Sequence, residues 1–227
     1  MSSWPETDEE RLTGALLRVD LHESRYLAVG ELHNVVNLLL RSAAAACLLD
    51  REPDALAYCA RAGVHMGEWV AAGTQAKSAL SDLAAARGLL ALAIGPHPSA
   101  KDTAAALLRR TEKAPPGPIH NARLAAAALL GDSDTLQASA RACELSDAGL
   151  GAPWKRFALA LDAHDVPAMQ KSALAWLREK MEATHTNEWG AYNEVPIEVS
   201  GALALARIHD WDMRLPSNRV LSEYRSV

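Results

Sequence analysis

The chain has 227 residues, enough for one large domain or two small ones around a buried core. Hydrophobic residues make up 49%, much of it Ala and Leu, and aromatics only 5%; Ala and Leu are the best helix formers and β-branched residues are sparse, which argues for an all-α protein. A net charge of −5 disfavours non-specific binding to nucleic acid or to an anionic membrane.

The first residues, MSSWPETDEERL, are acidic where a signal peptide would be basic. Ser3 and Thr7 can cap a first helix, expected to run to about Leu21, with HESRY as a joint or a continuation. From about Leu27 to Leu49, Leu32, Val35, Val36, Leu39, Leu40, Ala43 and Cys47 recur at three- and four-residue steps, one face of a helix. The run Asp50–Pro53 stops it, and a helix from about Asp54 to Val70 follows, since Pro is tolerated in a first turn. Gly73 and Thr74 precede a helix from about Gln75 to Ile94. GlyProHisPro at 95–98 breaks the chain, and Ser99 can cap a helix from Ala100 to Thr111. LysAlaProProGlyPro at 113–118 is the densest turn cluster, read as a boundary between two helical layers of a single domain spanning 1–227.

The next stretch contains one unit twice. LAAAALLGDSDTLQASARACEL (124–145) and RFALALDAHDVPAMQKSALAWLREKM (156–181) align with Asp132 on Asp165, Leu136 on Met169, Ser139 on Ser172 and Ala140 on Ala173. The offset is 33 residues, the length of a two-helix repeat. Asp54, Leu56 and Ala60 match Asp134, Leu136 and Ala140 at an offset of 80, not a multiple of 33, so the stack is irregular. Gly131 can close one helix in the left-handed conformation, and Asp132 and Asp165 cap the helices that follow. A polar segment, HTNEWGAYNEVP, covers 185–196, a helix covers 199–209, and Pro216 opens a short terminal piece. The expectation is nine or ten helices in antiparallel hairpins, stacked as an irregular bundle or a tetratricopeptide-like array.

Candidate chemistry is thin. No HExxH, paired CxxC, EF-hand loop, GxGxxG or P-loop lysine motif occurs, and no serine sits in a G-x-S-x-G elbow. His120, His164-Asp165 and Asp210 could be cast as a helical metal-dependent phosphohydrolase site, but Asp165 is already explained as a helix cap. Cys47, Cys59 and Cys143 have Ala and Leu neighbours, which suits buried free thiols and not activated nucleophiles. An odd cysteine count without a secretory signal suits a reducing compartment, and no apolar run reaches the ~18 residues of a membrane span, so a cytoplasmic protein is expected. No catalytic residue, metal or cofactor is expected. The one surface that stands out is the segment 182–198, which gathers Glu182, Glu188, Trp189, Tyr192, Glu194 and Glu198 with almost no basic partner. Trp and Tyr anchor interfaces, and a block of like charge attracts a partner of the opposite sign. Trp69, Trp154, Trp176 and Trp211 fit helical core positions instead.

LAAAALLGDSDTL (124–136), LALDAHDVPAMQKSALAWL (159–177) and EVSGALALARIHDWDMRLPSNRVL (198–221) together resemble immunity proteins of bacterial polymorphic toxin systems, most nearly immunity protein family 49. The resemblance covers roughly the C-terminal half. It implies a non-enzymatic protein that binds and blocks a cognate toxin made by the same cell; the acidic charge and the segment 182–198 make a basic toxin, such as a nuclease, the expected partner. The alternative on composition alone is a helical-repeat adaptor that holds a peptide or a regulatory protein.

Overall fold

The computed structural model describes residues 6–72, 79–94, 100–112, 119–143, 152–183 and 195–225. Among these residues there are eleven α-helices: α1 (Glu6–Leu16), α2 (Val19–Ala28), α3 (Leu32–Leu48), α4 (Glu52–Ala71), α5 (Ala79–Ile94), α6 (Ala100–Thr111), α7 (His120–Leu130), α8 (Ser133–Cys143), α9 (Ala152–Asp162), α10 (Val166–Ala183) and α11 (Ile197–Ile208). A 3-10 turn at Ser222–Tyr224 and an isolated bridge between Leu215 and Arg225 complete the C-terminal tail. The fold is all-α, as the Ala- and Leu-rich composition requires. No described helix is long and apolar enough to cross a membrane. The run 113–118 lies outside the described residues.

Five helix ends share one turn. The N–H groups of Glu31, Arg51, Asp132, Asp165 and Trp211 donate to the carbonyls of Tyr26, Ala46, Ala127, Ala160 and Ala206, at 2.9, 2.8, 3.0, 2.9 and 3.0 Å. The residue just before each of these donors has positive φ: Gly30 (74°), Asp50 (55°), Gly131 (70°), His164 (57°) and Asp210 (67°). This bond across five residues, with a left-handed residue inside it, satisfies carbonyls that the last helical turn would leave open. Only Gly takes that conformation without a Cβ penalty, and Asp, Asn and His are the side chains that tolerate it best.

The 33-residue repeat is one such turn used twice. Asp132 Oδ1 accepts the Thr135 N–H at 3.1 Å, and Asp165 Oδ1 accepts the Ala168 N–H at 3.0 Å. Leu136, Ser139 and Ala140 of α8 and Met169, Ser172 and Ala173 of α10 are all buried. The match to the α3–α4 hairpin, however, is one residue out of register. The turn bond from Arg51 to Ala46 corresponds to that from Asp132 to Ala127, an offset of 81. Ala55, not Leu56, therefore takes the place of Leu136. Leu56 is 39% exposed, Leu136 2%.

The N-terminus also departs from expectation. Leu17 and Arg18 separate α1 from α2, HESRY lies inside α2, and Gly30 ends α2 before α3 begins at Leu32. Leu27 and Ala28 thus close one helix instead of opening the next, because Gly30 supplies the left-handed turn.

At the centre is α5. Apart from Ser81, Asp82 and Arg87 it is apolar, the pattern of a buried helix, and it packs against α3, α4, α6, α7 and α11. Small residues let backbones come close: a Cβ at Gly201 of α11 would lie 2.6 Å from the Leu90 carbonyl oxygen. Two buried polar devices fix this hub. The N-cap position of α7 is Ile119, which has no polar side chain. Asp82 of α5 substitutes for it, accepting the Asn121 and Ala122 N–H groups at 3.0 and 2.8 Å and Asn121 Nδ2 at 3.0 Å. Burial pushes the Asp82 carboxyl above its ordinary range, while these three hydrogen bonds pull it down. In the second device, Arg87 of α5 meets Glu198 of α11, Nε to Oε1, at 2.9 Å.

Candidate functional site

Of the six partner-binding candidates, Glu198 is corrected by the structure. It is 1% exposed and ion-paired with Arg87, so it holds α11 to α5 and offers nothing to a partner. Glu188, Trp189, Tyr192 and Glu194 lie outside the described residues. Glu182 falls in the last turn of α10, and its side chain also lies outside them. Trp154 and Trp176 are core residues, their rings 5.6 Å apart and tilted by 37°. Trp69 is half-buried within α4. Trp211 lies past the end of α11 and is half-buried, not a helical core position.

Trp211 belongs to a surface on which three turns meet. Ser133 Oγ donates to Asp162 Oδ2 at 3.0 Å, and Gln137 Nε2 donates to the same oxygen at 2.8 Å, joining the α7–α8 and α9–α10 turns. The His164 and Trp211 rings meet edge to face at 5.9 Å, joining the α9–α10 turn to the residues after α11. His209 Nε2 donates to the Ala128 carbonyl at 2.7 Å, and its ring lies against Gly131, which closes the circuit back to α7. The carbonyl can only accept, so this contact places the hydrogen of His209 on Nε2.

The charge of this end is one-sided. Residues 131–137, 162–168 and 207–214 carry six carboxylates (Asp132, Asp134, Asp162, Asp165, Asp210 and Asp212) against two guanidiniums (Arg207 and Arg214). Both arginines are drawn to Asp212, at 3.5 and 3.4 Å. Arg207 also binds Glu223 at 2.9 Å and lies 4.7 Å from the centre of the Tyr224 ring. Asp134, Asp165 and Asp210 are exposed. Helix caps are acidic for a local reason, and stacking the hairpins brings the caps together. The sequence carries that signal as a carboxylate at each turn, but nothing in it says that the turns share an end.

The two His-Asp pairs have structural explanations. His164 and Asp210 are left-handed turn residues, Asp165 is a cap and His209 bonds a carbonyl. His120 begins α7, whereas His209 packs at that helix's other end, an 11-residue helix of roughly 15 Å away. Among the described residues no group of three or more His, Cys, Asp or Glu side chains could hold a metal ion. All three cysteines are free. Burial is the largest influence on each. It pushes Cys47 up to about 12, with Glu52 adding to the effect, and Cys143 up to about 11, with Asp82 adding; Cys59 is raised as well. This is the opposite of what a nucleophilic thiolate needs.

Comparison of the chain with family models, with curated proteins and with solved structures finds no match in any of the three.

Proposed function

We propose that the protein is a non-enzymatic immunity protein that binds a cognate bacterial toxin and covers its active cleft. The observation that carries this reading is the acidic end. Exposed Asp134, Asp165 and Asp210 stand on capped turns that are bonded to one another, with half-buried Trp211 among them. A rigid set of carboxylates costs little ordering on association, speeds encounter with a basic surface, and in a nuclease cleft can take the places of substrate phosphates. The residues in the motifs that resemble immunity proteins, 124–136, 159–177 and 198–221, are those that build this end.

The test is co-expression with the product of the neighbouring gene. Growth should be arrested by that product alone and restored by the wild-type protein. Reversing charge at Asp134, Asp165 and Asp210 to Lys should abolish the rescue while leaving the helical circular dichroism unchanged. A neighbour that is harmless alone, or equally toxic beside the protein, defeats the reading. The second reading, a helical-repeat adaptor for a peptide, draws on the duplicated hairpin pair α7–α8 and α9–α10, and capture of an extended peptide by the wild-type chain would favour it.

A further inference from the structure

We propose that the outer face of α2 and α4 is where two copies of this chain associate. Every large hydrophobic side chain that is exposed among the described residues lies between Leu17 and Val64: Leu17, Leu21, Leu27, Val29, Leu56 and Val64. The repeated hairpins α7–α8 and α9–α10 contribute none. Leu17, in the turn just before α2, is 83% exposed, and Leu21 of α2, four residues on, is 52% exposed, pointing away from buried Val19 and Glu23. On α4, Leu56, Ala60 and Val64 follow one another at four-residue steps, facing away from buried Ala55, Cys59 and Met66.

The two ridges are held side by side. Arg61 Nη2 reaches Asp20 Oδ1 at 2.7 Å and also bonds the buried carboxylate of Glu23. His65 sits between two carboxylates, with Nε2 2.6 Å from Glu23 Oε1 and Nδ1 3.1 Å from Glu68 Oε2. Asp20 and Glu23 meet Arg61 and His65 in ascending order on both helices, so α2 and α4 run parallel. That register sets Leu17 and Leu21 level with Ala57, Ala60 and Val64. The result is two apolar ridges that flank an ion-paired seam, in which the Asp20 side chain is 87% and that of Arg61 38% exposed.

Charge selects the occupant. Residues 17–29 and 51–71 carry four Arg and five Asp or Glu, so this face is close to neutral in a chain of net charge −5. Two like-charged chains repel each other over most of their surface, and the acidic end would meet its own sign. The α2–α4 face is where a second copy meets no net repulsion. Its rim has both signs, with Arg18 just before α2 and Arg25 on it, and Asp54 and Glu68 on α4, so a two-fold partner offers opposite charges to each. A strongly basic or strongly acidic partner would find no such match here.

Sedimentation velocity of the full chain from low to high micromolar concentration tests the proposal. The wild-type protein should pass from monomer to dimer with concentration. Leu21→Glu and Val64→Glu, each at an exposed site that leaves the core intact, should raise the dissociation constant at least about tenfold. Leu17→Ser should weaken association less, and all three should keep the wild-type helical content. Asp165→Lys, at the acidic end, should dimerise like wild type, which separates this face from the toxin-binding reading. A wild-type chain that stays monomeric throughout overturns the proposal, whether or not the face is then found to take a lipid vesicle or a different protein. Dimers that persist in both Leu21→Glu and Val64→Glu overturn it as well.

Discussion

The α3–α4 hairpin and the repeated hairpins α7–α8 and α9–α10 turn the chain in the same way. Each first helix ends on a left-handed residue, and each closes with an N–H bonded to the carbonyl five residues earlier. The second helices then differ on the outside. Helix α8 shows water Asp134, Ala138 and Arg141, and α10 shows Gln170, Lys171, Arg178 and Glu179, whereas α4 shows Leu56, Ala57, Ala60 and Val64. Turn geometry fixes which residues point inward and leaves the outward ones free. An apolar outer stripe on α4 therefore does not come from the folding requirement that made the hairpin, and that difference is why it reads as a contact surface.

The sharpest way to break this comparison is to truncate the two leucines that align by eye. Leu136→Ala should lower unfolding stability by about 2–5 kcal/mol, since it empties a buried site, while Leu56→Ala should stay within about 0.5 kcal/mol. Urea titrations of the two variants measure it, and equal losses would show that Leu56 is packed like its counterpart. Next in size is the cap that α5 lends to α7. Asp82→Ala should lower stability by about 1–3 kcal/mol, because buried donors lose their acceptor. Burial holds the Asp82 carboxyl above its ordinary range, so the folded state binds this proton more tightly than the unfolded chain does. Its contribution is then full below pH ~4 and falls as pH rises through the raised value. The Asp82→Ala deficit should accordingly be wider in acid than at neutral pH, and a deficit that widens toward neutral would reverse the assignment.

Smaller effects sharpen the repeat itself. Asp132→Ala and Asp165→Ala should each cost about 1 kcal/mol, the value of a lost N-cap, and the two should agree closely because their bonds are the same. Asp50→Gly and His164→Gly should each stabilise by a few tenths of a kcal/mol to about 1, by removing a Cβ from a left-handed residue. Both shifts can be read as displacements of the thermal midpoint.

What the sequence made legible was local. The helices from α4 onward, the caps at Asp132 and Asp165 and the Gly131 turn all depend on residues within a few positions of each other, and the structure places them close to where they are read. Partnerships over long separations were not legible. Asp82 looks like an ordinary first-turn acid, since nothing near it reveals that α7 lacks a cap of its own. Glu198 looks like surface charge beside aromatic residues, because its neutralising partner, Arg87, lies on a helix far away in the chain. Leu56 was matched to Leu136 because identity was followed rather than the turn bond, and a slip of one residue exchanges an inner position for an outer one. The acidic end escaped for the same reason: each Asp has a local role, and only the packing of hairpins shows that these roles share a surface.

The position of α5 has a consequence for synthesis. One of its flanks is closed by α11, where Gly201 meets the Leu90 carbonyl. As the chain leaves the ribosome, α3 to α7 can assemble around α5, yet that flank stays bare until residues 197–208 emerge. The nascent protein carries an uncovered apolar strip until then, a feature that chaperones bind and that aggregation exploits. Closure of the core waits for α11 and for the tail behind it, whose Leu215, Val220, Leu221 and Tyr224 are buried as well.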